Sequence, residues 1–110
     1  MEKALSINIK DINPIGVLSQ GSPAVADAFL NFRKTVNGLE GLDERQRELC
    51  LVSAFVTLGD MKRMTVHAVR AMEAGATKQE TLHAVLLMLG ATTTLSTVSD
   101  ALELLMEALA

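Results

Sequence analysis

The stretch RELCLVSAFVTLGDMKRMTVHAVRAMEAGATKQE, Arg47 to Glu80, decides the fold. From Leu49 to Leu58 it is apolar on nearly every side of a helix, and Gly59 supplies the left-handed stop. Asp60 then caps a second helix that runs to Ala74 and ends at Gly75. Thr77 and Glu80 have capping-box spacing and open a third. Turns this short make successive helices antiparallel neighbours. The apolar helix is expected to be the most buried element, with Cys50 packed in it as a small hydrophobe.

The same punctuation extends in both directions. Asp43 and Gln46 form a second capping-box pair that starts the apolar helix. Before it, Gly21-Ser22-Pro23 opens a helix with Val25, Phe29, Phe32 and Val36 on one face, stopped by Asn37-Gly38. Asn13-Pro14 repeats the cap-then-proline signal, enough for a turn or two over Pro14 to Gln20. Leu5, Ile7 and Ile9 alternate with polar residues, as in a short extended segment. Beyond Glu80, Leu82, Val85, Leu86 and Leu89 continue a helix to Gly90. After a Thr/Ser-rich stretch, Val98, Ala101, Leu102, Leu105 and Leu109 form one stripe, with Asp100, Glu103 and Glu107 outside it. The expectation is all-α: a single-domain bundle of about five helices over residues 23–110, after an irregular segment over 1–22 with a possible short helix.

Composition agrees and excludes several functions. The chain has 110 residues and is 49% hydrophobic but only 3% aromatic, a core of Leu, Val, Ala and Met that suits packed helices better than a β-sandwich. A net charge of -3, with no run of basic residues, argues against phosphate neutralisation and hence nucleic-acid binding. The longest apolar stretch, Leu49 to Leu58, is about half of what a membrane span needs. Cys50 is the single cysteine, which permits no internal disulfide and no cysteine zinc site. With no signal-peptide pattern in MEKALSINIK, the chain reads as soluble and cytoplasmic. Two histidines without metal-ligand spacing predict no metal, and glycines isolated at helix ends predict no phosphate-binding loop.

At about 100° per residue, Asp60, Arg63, His67 and Arg70 share one sector beside the apolar Met64, Ala68, Ala71 and Met72. Two readings are open. Two guanidinium groups flanking a histidine can hold a carboxylate-bearing ligand while the imidazole moves a proton. Alternatively, the arginines are solvated and His67 simply packs at a helix boundary. Glu48 lies on the same face as Val52 and Phe55, so its carboxylate needs a partner. His67 on the next helix is one choice, and Arg45 or Arg47 close by is the other. His83 reads as a surface residue.

Arg47-Glu48-Leu49, His67-Ala68-Val69-Arg70-Ala71 and Ala74-Gly75-Ala76-Thr77 with Glu80 resemble the core of the carboxymuconolactone decarboxylase and alkylhydroperoxidase-D-like family. The resemblance covers roughly residues 38 to 91. It implies the alkylhydroperoxidase-D-like fold and a homo-oligomer, trimeric or hexameric. In the peroxidase branch two cysteines lie seven and four positions before the histidine, but here those positions hold Asp60 and Arg63. A dithiol peroxidase needs an attacking and a resolving thiol, so the departure argues against that activity. The decarboxylase branch also lacks the pair, and acts on a carboxylated lactone without a metal or organic cofactor.

That branch implies a cofactor-independent lyase or proton-transfer enzyme, with a carboxylated small molecule as partner and neither nucleic acid nor membrane. Glu48 and His67 would be catalytic, and Arg63 and Arg70 would bind substrate. The alternative is a non-catalytic oligomeric or ligand-binding protein that keeps the family frame, with the apolar stripe of the last helix closing a subunit interface.

Overall fold

The structure, a computed structural model, describes residues 13–110. The proposed extended segment at Leu5, Ile7 and Ile9 lies outside the described residues. Among the described residues there are six helices and no strand beyond an isolated Leu89–Thr93 bridge. They are α1 (Pro14–Gly21), α2 (Pro23–Asn37), α3 (Glu44–Leu58), α4 (Met61–Glu73), α5 (Lys78–Leu86) and α6 (Leu95–Ala108). No helix among the described residues is long and apolar enough to cross a membrane. The chain forms two compact units, with the boundary between Gly41 and Leu42.

The first unit contains α1 and α2, which pack on each other. Asn13 caps α1 by accepting from the Gly16 N–H, and Ser22 caps α2 by accepting from the Val25 N–H, each followed by proline at the first turn. Phe29 and Phe32 meet with ring centroids 6.5 Å apart and stay exposed, as does Val25.

The second unit, from Leu42 onward, is the four-helix body α3–α6. Both anticipated capping boxes form: Asp43 with Gln46, and Thr77 with Glu80. At the α3–α4 turn, Gly59 has φ 73°, and the Asp60 N–H donates to the Phe55 carbonyl to close the last turn of α3. Asp60 immediately caps α4 by accepting from the Arg63 N–H. A two-residue turn thus folds α4 back along α3, the most extensive helix pairing in the molecule. Ser53 Oγ donates to the Ala84 carbonyl at 2.7 Å and ties α3 to α5. The core comprises Val52, Val56, Met64, Ala68, Ala84, Val85, Val98, Ala101, Leu105 and Leu109.

Three details differ from the sequence-based expectation. The most buried helix is α4, with Met64, Thr65, Val66, Ala68 and Ala71 buried. Only Val52 and Val56 are buried on α3, while Leu58 is 74% exposed and Cys50 is exposed rather than packed. An all-round apolar helix can bury only the faces its neighbours cover. Next, α5 stops at Leu86, short of Leu89. There the Met88 carbonyl accepts from the N–H groups of Ala91, Thr92 and Thr93, and Gly90 turns the chain at φ 77°. Finally, of the expected stripe, Val98, Ala101, Leu105 and Leu109 are buried within this chain and Leu102 is half-buried, so it is not an open face.

Replacing Met64, fully buried, by Ala should lower the unfolding free energy by about 2–5 kcal/mol in urea titration. Gly59→Ala should cost about 1–2 kcal/mol, since a Cβ disfavours the left-handed conformation although space is open there.

Candidate functional site

The α3–α4 hairpin explains how Glu48 and His67 meet. Equal steps outward from the Gly59–Asp60 turn set His67 opposite Val52, midway between Glu48 and Phe55 on one stripe of α3. His67 Nδ1 lies 2.6 Å from Glu48 Oε1, and both side chains are 15% exposed. A carboxylate only accepts, so Nδ1 carries the proton of this bond and Nε2 is the acceptor in the neutral ring. Among the described residues Nε2 has no hydrogen-bond partner, and none there has a side-chain polar atom both buried and unpartnered.

The local alternatives for Glu48 are taken up elsewhere. Arg45 reaches across to Glu80 at 3.1 Å, and Arg47 donates to the Leu42 carbonyl at 3.3 Å. Glu80 in turn accepts from the Thr77 N–H, which is the main reason its carboxyl titrates below the ordinary value; desolvation opposes this in part, and the charge of Arg45 adds a smaller lowering.

The arginines are arranged differently from the acid–histidine pair. Arg63 is 45% exposed and lies 3.4 Å from Asp60. Arg70 is exposed, and among the described residues it forms no ion pair. Each stands one turn along α4 from His67, but neither contacts His67 or Glu48 through a hydrogen bond. The structure therefore joins Glu48 to His67 and leaves Arg63 and Arg70 on the exposed flank.

Sequence reasoning gave no role to Phe55. Its ring stacks on the His67 imidazole, with centroids 5.1 Å apart and planes 12° from parallel. The two-turn spacing from Glu48 to Phe55 was the available signal. His83 is exposed, as anticipated, and lines a groove of about 310 Å³ between α3 and α5 with Leu49, Cys50, Ser53, Glu80, Ala84 and Leu87. That groove contains neither Glu48 nor His67. Its single thiol has no second thiol in this chain to work with.

One comparison with known proteins finds a match. The sequence profile of the Carboxymuconolactone decarboxylase family matches residues 23–107. The chain belongs to this family. No curated protein and no solved structure matches it significantly. The family's fold is the alkylhydroperoxidase-D-like all-α fold, and the match takes in α2 through nearly all of α6. With one cysteine, this member has no two-cysteine motif.

The capping box at α5 should make stability depend on acid. A carboxyl whose folded titration is depressed stabilises fully above its unfolded range, and that contribution disappears as pH falls through the folded one. The urea midpoint of the wild type should exceed that of Glu80→Gln near neutrality, and the gap should close as the solution is acidified. A gap independent of pH would show that the charge contributes nothing.

Proposed function

We propose that this chain is a cofactor-independent lyase or proton-transfer enzyme acting on a carboxylated small molecule. The observation that carries the reading is the 2.6 Å contact between Glu48 and His67. Glu48 holds Nδ1 with its proton, so the ring exchanges a proton with substrate through Nε2. In a decarboxylation, the bond to the carboxylate breaks and CO2 departs. The electron pair remains on a carbon conjugated with a carbonyl. His67, doubly protonated beforehand, delivers the Nε2 proton to that carbon, and Glu48 balances the ring's positive charge until transfer. Water then restores the proton.

Arg70 is the better placed of the two arginines to orient the substrate carboxylate, because Asp60 already engages Arg63. The absence of a resolving thiol argues against dithiol peroxide reduction.

A non-catalytic assembly is the second reading. It is supported by the exposed Leu86 at the end of α5, Leu87 and Leu89 after it, and Leu95 and Met106 of α6. A homotrimer or homohexamer would cover such residues, and it is compatible with catalysis as well.

Turnover should appear in a screen of lactone acids and other carboxylated carbonyl compounds. His67→Ala should then lower kcat/KM by about 10²–10⁴-fold, and Glu48→Gln should lower it less. Arg70→Ala should raise KM more than Arg63→Ala does. Activity that survives both His67→Ala and Glu48→Gln removes the pair from the mechanism. Light scattering should report a mass above that of the 11.8 kDa monomer, and a monomer at micromolar concentration would contradict the assembly.

A further inference from the structure

We infer that Phe55 is a positioning residue that fixes the plane of the His67 imidazole, an inference that rests on His67 being the proton-transfer group. A single hydrogen bond from Nδ1 to Glu48 sets the distance of the ring from α3, but the ring can still tilt about that bond. The near-parallel stack at 5.1 Å and 12° removes that freedom. Glu48 and Phe55 lie two turns apart on one stripe of α3, and His67 projects between them from α4. The carboxylate therefore holds the edge of the ring while the phenyl supports its face.

Two consequences follow for the site. With one face covered and Nδ1 engaged, a substrate meets His67 from the Nε2 edge or from the opposite face. The tautomer chosen by Glu48 also depends on Phe55, because a ring that tilts away lengthens the Nδ1–H···Oε1 contact and weakens the preference for the proton on Nδ1. Phe55 touches no reacting atom in this arrangement and acts only through His67. Misplacing a reacting group by about 1 Å can cost on the order of 10²-fold in rate. Loss of the stack should therefore appear in kcat, with KM little changed.

The test uses the full chain with ¹⁵N-labelled histidine, comparing wild type, Phe55→Leu, Phe55→Tyr and Glu48→Gln. In the neutral ring, the wild-type His67 nitrogen shifts should report the proton on Nδ1. Phe55→Leu should shift them towards a mixture of tautomers, Phe55→Tyr should restore the wild-type pattern, and Glu48→Gln should disturb it with the stack intact. If Phe55→Leu does not fold, the wild-type protein still decides: upfield ring-current shifts of the His67 carbon-bound protons support the stack, and their absence overturns it.

A Phe55→Leu protein that folds with an unchanged tautomer pattern overturns the positioning role. So does a Phe55→Tyr protein that fails to restore the pattern. These readings need no turnover. Failure of the lyase assignment, seen as turnover that survives His67→Ala, is thus distinguishable from failure of this inference. Where turnover is found, Phe55→Leu should lower kcat by about tenfold or more.

Discussion

The left-handed turn at Gly59 is the constraint on which the rest of this structure depends. With φ at 73°, the residue lets the chain leave α3 and enter α4 within two residues, and Asp60 supplies the next cap without any intervening loop. So short a connection leaves α4 little choice except to run back along α3. The pairing then buries Val52 and Val56 against Met64 and Ala68 and creates a core onto which α5 and α6 dock. A longer turn would leave the vertical offset between the helices undetermined, and with it the alignment of every side chain across the seam.

That alignment solves a problem that the composition of α3 creates. Glu48 stands on an otherwise apolar stripe, where a carboxylate without a partner would be costly. Its nearest basic neighbours are drawn away: Arg45 to Glu80 on α5, and Arg47 to the Leu42 carbonyl. The imidazole of His67 remains, half-buried between Glu48 and Phe55. The contact that relieves Glu48 also chooses the tautomer of the histidine.

Asp60 and Arg63 interact at the start of α4. Asp60 caps α4, and its second oxygen engages Arg63. The exposed Cys50 lies on α3, in the groove shared with α5, and not beside His67. The family's all-α frame is present with a single cysteine.

Helix existence, type and most boundaries were legible in the residues, because caps and stops are local. Asn13, Ser22, Asp43, Asp60 and Thr77 each act within three residues, and both capping boxes appear where their spacing puts them. The end of α5 was not legible, since three N–H groups converging on the Met88 carbonyl compete there with a helix that the apolar period alone would extend. Which helix is buried also escaped the sequence. Hydrophobicity tells how much surface a helix offers, but burial depends on which of its faces the neighbours cover, and α4 rather than α3 has more buried residues. For the site, the sequence narrowed Glu48 to two kinds of partner and left the choice open. Only the tertiary structure made it, by occupying both arginines and bringing His67 and Phe55 across the hairpin, because contacts between helices depend on register and rotation that no local residue pattern specifies.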